Sequence, residues 1–168
     1  MPSAIKTKTK SQVRAVVGSD EAEVKRAARG LAAEMTPAAG GDFGTDIIDG
    51  VADNAEQAAT KVHQTIDALL TFPFFGGEKL VWLKNANFFG DTVTGRAQTV
   101  IDALEKLTAT LNAGLPETTR FLLSATEIDK RRSFYKNLQK LAKVEVFDRL
   151  DSSKAGWEEE AAALVERA

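Results

Sequence analysis

The run Leu80-Val81-Trp82-Leu83 contains no polar residue, and Phe121-Leu122-Leu123 is built the same way. A strand with one wet face alternates apolar and polar side chains. A strand without that alternation is covered on both faces, as central strands of a parallel sheet are. Parallel neighbours need long crossovers, usually helical, and the rest of the chain follows that pattern. Val13 to Val17 is a β-branched run closed by Gly18. Phe43 to Ile48 reads as a second strand turned by Asp49-Gly50, and Val144 to Phe147 alternates like an edge strand. Helical spacing appears between them. Ser19 or Asp20 precedes Val24, Ala27, Ala28, Leu31 and Met35, and residues 54–70 align Ala55, Ala58, Val62, Ile66 and Leu69. Residues 97–111 carry Ala97, Val100, Ile101, Leu104, Leu107 and Leu111 in register and stop near Gly114-Leu115-Pro116. Asp129 is placed to cap a short helix with Phe134, Leu138 and Leu141 inward. The segment Asn85 to Gly95, with Phe88 and Phe89, reads as a loop. The expected fold is α/β: three layers, a mostly parallel five-stranded sheet with helices on both faces.

The α/β pattern runs from residue 13 to residue 150. Residues 1–12, with lysines at 6, 8 and 10, read as a flexible tail, and a last helix from about Ser152 carries Trp157, Ala161, Leu164 and Val165 on one face. The lysine-bearing start has no apolar segment behind it and is not a signal peptide. No apolar run approaches the roughly 20 residues that span a bilayer, so no membrane partner is expected. A net charge of −2 gives no global electrostatic case for nucleic acid. The absence of cysteine excludes disulfides, thiolate chemistry and cysteine-ligated zinc, and suits a cytoplasmic protein.

Ligands of parallel α/β sheets bind at the carboxyl ends of strands, here the loops after Val17, Ile48, Leu83 and Ser124. A phosphate-cradling loop needs a further glycine and a Lys-Ser/Thr pair at the helix start. Gly18-Ser19 is instead followed by Asp20, Glu21 and Glu23, which satisfy the helix dipole themselves and repel phosphate. A phosphate-hydrolysing enzyme of this topology wants an acid after the third strand, where this chain has Lys84-Asn85-Ala86-Asn87. No cofactor and no catalytic residue is expected. His63 is the sole histidine and reads as a surface or boundary residue, so no triad and no transition-metal site follows. Asp46 and Asp49 have the chemistry for a hard cation but are more commonly turn formers. Lys130-Arg131-Arg132 is a basic cluster that reads as a solvated helix end, with DNA or an acidic partner as the other reading.

Apolar residues then appear where polar ones belong. Thr71-Phe72-Pro73-Phe74-Phe75-Gly76-Gly77-Glu78-Lys79 joins the second helix to the third strand. Pro73 ends the helix, and Gly76-Gly77 permit a reversal. Adjacent rings at 74 and 75 point different ways on any regular backbone, so one core pocket does not easily take both. Either the rings plug the base of the domain, or at least one is exposed as a hydrophobic protein contact.

Three stretches together resemble the N-terminal part of the delta subunit of bacterial DNA polymerase III, a clamp-loader subunit with a degenerate AAA+ (P-loop-like) module. Val16-Val17-Gly18-Ser19-Asp20-Glu21 is similar to that family's opening strand and Gly-x-Asp-Glu. Phe72 to Val81 is similar to its Pro-Leu/Phe-Phe-Gly-x-Lys-Arg-hydrophobic stretch. Leu122 to Arg131, continued by Tyr135-Lys136, is similar to its strand followed by Leu-Asp-x-Arg. The match runs from about residue 13 to the end; Phe74 stands where many members carry Leu, and the lysine-bearing start is an addition. The resemblance implies a non-catalytic domain that binds the ring-shaped sliding clamp (beta subunit) and helps open it during DNA replication. It implies that Phe74 and Phe75, flanked by Phe72 and Pro73, enter a pocket on the clamp. It further implies that residues 151–168 begin a truncated helical domain. Other loader subunits would be met only through regions outside this chain, and DNA only indirectly. The reading from a different class is a nucleotide-binding, P-loop-like ATPase domain with a diverged site.

Overall fold

In the computed structural model, which describes residues 12–37, 44–73 and 77–150, the elements alternate as expected. Strand β1 is Val13–Val17, helix α1 Glu21–Met35, β2 Thr45–Asp49, α2 Ala55–Leu70 and β3 Lys79–Ala86. There follow a single turn α3, Val93–Arg96, then α4 Gln98–Ala113, β4 Thr119–Ala125, α5 Ser133–Leu141 and β5 Lys143–Val146. The five strands form one sheet in the order β2-β3-β4-β1-β5. Every neighbouring pair is parallel, a stricter arrangement than the mostly parallel sheet expected. The expectations for residues 1–11, Phe43, Phe74, Phe75 and the helix from Ser152 lie outside the described residues.

Register sorts the side chains into two cores. Val13, Phe121 and Val81 are aligned across β1, β4 and β3, as are Ala15, Leu123 and Leu83. These positions are buried under Ala58, Val62 and Leu69 of α2, Val100 to Leu111 of α4, and Tyr135 and Leu138 of α5. The alternate positions Val16, Leu80, Trp82 and Leu122 pack, among the described residues, against Val24, Ala28, Leu31, Ala32 and Met35 of α1, with Phe147 at the margin. Among the described residues, the period of two along each strand therefore places α1 on one face and α2, α4 and α5 on the other. Asp20 caps α1, its carboxylate accepting from the Glu23 amide, and Asn54 does the same for α2 through Gln57.

Strands β3 and β4 outrun their apolar segments because the polar residues at their ends have internal partners. Ser124 is fully buried, and its hydroxyl oxygen accepts from Trp82 Nε1 at 3.0 Å and from the Asn85 amide at 2.9 Å. The expected loop 85–95 is also less open than its polarity suggests. Phe88 and Phe89 are buried, Phe89 stacks on Phe134 with ring centroids 4.9 Å apart, and the loop contains α3. Asp129 is not the cap of α5. That helix starts after Arg132 without a side-chain cap, because the Asp129 carboxylate is taken by the Arg131 amide and guanidinium, each at 3.0 Å.

Candidate functional site

The carboxyl edge of the sheet is the first place to look for chemistry. There Gly18 has φ +147°, and a Cβ on it would strike the backbone of Phe147. The chain leaving β5 lies directly over the β1–α1 turn. The Phe147 amide donates to Val17 O at 2.8 Å, and Phe147 O accepts from the Asp20 amide at 2.9 Å. The Gly18 amide donates to Ala125 O at 3.2 Å, and the Ser19 amide to the Asp148 carboxylate at 3.1 Å. The Arg149 amide in turn reaches Ser19 Oγ at 2.9 Å. In a phosphate-binding turn these successive N–H groups point at the ligand. In this chain the amides of Gly18, Ser19 and Asp20 are all taken by the protein's own oxygens, one of them a carboxylate.

Beside this turn is a shallow cleft of about 490 Å³, lined by Ser19, Glu127, Asp129, Lys130, Arg131 and Asp148 among others. Its basic charges are matched internally. Lys130 pairs with Asp148 at 2.5 Å; Arg131 pairs with Asp129 at 3.0 Å and Asp91 at 3.7 Å; Arg132 lies 3.8 Å from Asp129. Hydrogen bonds from the Arg131 side chain and amide hold the Asp129 carboxyl down to about 2. The basic cluster Lys130–Arg132 thus already has carboxylate partners. Among the described residues no group of three or more His, Cys, Asp or Glu side chains is arranged to hold a metal ion. Asp46 and Asp49 diverge: the first pairs with Lys79 at 3.0 Å, and the second accepts from the Val51 amide in a turn. His63 is exposed on α2.

The amino edge carries the other candidate. Helix α2 ends at Leu70, and Thr71 turns extended, with φ −92° and ψ 127°. Adjacent apolar residues separate there: Leu69 is fully buried while Leu70 is 57% exposed, and Phe72 is 75% exposed. Pro73 is half-buried behind it. Beyond the junction Gly77 has φ +83°, and Glu78 pairs with Arg120 at 3.3 Å. Lys79 is 5% exposed although charged, and its ammonium donates to Ala68 O at 2.5 Å and to Thr71 O at 3.0 Å besides meeting Asp46. Phe72 and Pro73 therefore stand together at this edge, and Phe72 is an outward ring. The exposure of Leu70 and the burial of Lys79 are not read from sequence. For Leu70 a signal was present, since neighbouring leucines on a helix do not share a face. For Lys79 the nearest signal was a lone cation abutting an all-apolar strand.

The family described as DNA polymerase III, delta subunit, matches residues 45–147. Among solved structures, the Bacillus subtilis DNA clamp loader delta protein (YqeN) is similar with a TM-score of 0.57 and 19% sequence identity. That alignment covers 98% of this chain and 46% of the other, so the chain spans less than half the length of that relative. At such identity the likeness speaks for the fold. No curated protein matches the chain.

Proposed function

The chain belongs to the DNA polymerase III delta-subunit family, and from that premise we propose that it is a non-catalytic clamp-loader domain that binds the sliding clamp and helps open it. The contact is made at the amino edge of the sheet. Phe74 and Phe75 are its anchors, with Phe72 and Pro73 alongside. The observation that carries this reading is the exposure of Phe72, 75% of whose surface is open to solvent on a junction tied at both ends. An apolar ring held in water on a fixed base is the form that interface anchors take. Opening needs one further property. A ring of clamp subunits shifts toward its open state only if the domain binds that state more tightly than the closed one.

The reading as a nucleotide-dependent ATPase has no support at the turn where phosphate would sit, because the Gly18, Ser19 and Asp20 amides already have acceptors. Among the described residues no helix is long and apolar enough to cross a membrane. A replication role implies a cytoplasmic protein that meets DNA through the clamp.

The test is binding to the sliding clamp of the same organism. Burying a phenylalanine contributes about 1.5–3 kcal/mol. Phe74→Ala combined with Phe75→Ala should therefore weaken binding by roughly a hundredfold or more while the melting temperature changes little. If the rings are core plugs, each truncation costs about 3–5 kcal/mol of folding stability instead. Unaltered clamp affinity beside a collapsed melting temperature would overturn the proposal.

A further inference from the structure

Lys79 is the least expected residue of the amino edge. Its side chain is 6% exposed, and its three N–H groups meet three acceptors: Ala68 O, Thr71 O and a carboxylate oxygen of Asp46. Ala68 and Thr71 carry carbonyls left without intrahelical donors at the end of α2, so the ammonium closes that end as a cation at a helix C-terminus does. The bond to Thr71 O also ties the last residue before the Phe-Pro projection to the first residue of β3. Asp46 adds β2 to the same knot. On stability grounds this is a costly device. Desolvating an ammonium is expensive, and its counter-charge Asp46 is 49% exposed. What the ammonium supplies, and an apolar side chain does not, is direction. It fixes where the last turn of α2 stops and the direction in which Phe72 and Pro73 leave the helix.

Resting on the clamp-binding reading above, we infer that Lys79 is the positioning residue of that contact. It acts through the backbone of Ala68 and Thr71 rather than by touching the partner. The experiment measures affinity for the sliding clamp and thermal melting together, using wild type, Lys79→Met, Phe75→Ala and the double variant. Lys79→Met should bind about tenfold more weakly or worse, and because it also leaves the Ala68 and Thr71 carbonyls without a donor it should lower the melting temperature, so the comparison between backgrounds decides the role. In the Phe75→Ala background the same substitution should cost less than about threefold, because a misdirected junction has less left to misplace. A residue that only supports the fold would give equal losses in both backgrounds. Should Lys79→Met fail to fold, Lys79→Gln, which keeps a donor on a shorter stem, carries the same comparison. Unchanged affinity in the Lys79 variant, or an undiminished tenfold loss in the Phe75→Ala background, overturns the role of Lys79 and leaves the clamp reading standing. Wild type that does not bind the clamp overturns that reading itself.

Discussion

Ser124→Ala removes a single oxygen and strands two donors. Ser124 is fully buried on β4, and its Oγ is the acceptor for both Trp82 Nε1 and the Asn85 amide. Trp82 is only 5% exposed, so water does not easily replace the lost partner. A buried donor left unsatisfied costs about 1–3 kcal/mol, and the new methyl group recovers a small part of the sum. The expected loss is about 2–4 kcal/mol, a large share of the 5–15 kcal/mol that typically separates folded from unfolded. For a chain of this length each kcal/mol shifts the melting temperature by about 2–4 °C, which gives a fall of roughly 4–16 °C. Urea unfolding should show a lower midpoint with an unchanged slope. A second arm isolates the cause: Trp82→Phe deletes one of the two donors, so Ser124→Ala in that background should cost about half as much. A loss below about 0.5 kcal/mol, or the same loss in both backgrounds, would refute the shared-acceptor argument.

Gly18→Ala adds a methyl group where the Phe147 backbone lies and asks a non-glycine residue to hold φ +147°. It should destabilise by at least about 2 kcal/mol and raise amide hydrogen exchange at Asp20 and Phe147 before the rest of the sheet. Gly30→Ala, mid-helix in α1 with open space around the added carbon, should stabilise by about 0.5–1 kcal/mol in the same urea assay. Asp129 is held by Arg131 below its ordinary carboxyl value of 3.8, at about 2. A depressed carboxyl stabilises fully above its unfolded value and loses that contribution as pH falls through the folded one. The stability gap between wild type and Asp129→Asn should therefore be constant above about pH 5 and close between about pH 4 and pH 2.

The all-apolar runs were enough to read β3, β4 and the parallel sheet, because burial on both faces leaves no room for alternation. The helix faces of α1, α2 and α4 were legible for the matching reason of period. What escaped was decided by partners distant in the chain. Ser124 and Trp82 are 42 positions apart, and nothing local marks the serine as an acceptor inside the core. Phe88 and Phe89 sit in a polar stretch whose cover comes partly from Phe134 on another element. Asp129 has the local form of a helix cap, but Arg131 two residues later competes successfully for its carboxylate. At the amino edge the crowding of phenylalanines in a short connection is legible in the sequence, and of these Phe72 lies among the described residues, exposed. The knot under it is not legible, since Lys79 depends on Asp46 of another strand and on carbonyls that only a finished helix end leaves open.

The stitch between the β1–α1 turn and the chain leaving β5 has a consequence for what that turn can admit. A side-chain carboxylate, Asp148, and a main-chain carbonyl, Phe147 O, hold the amides of Ser19 and Asp20. An anion arriving there would have to break the bonds that fasten the last strand's exit to the first helix, so the turn is a seam of the fold rather than a doorway into it.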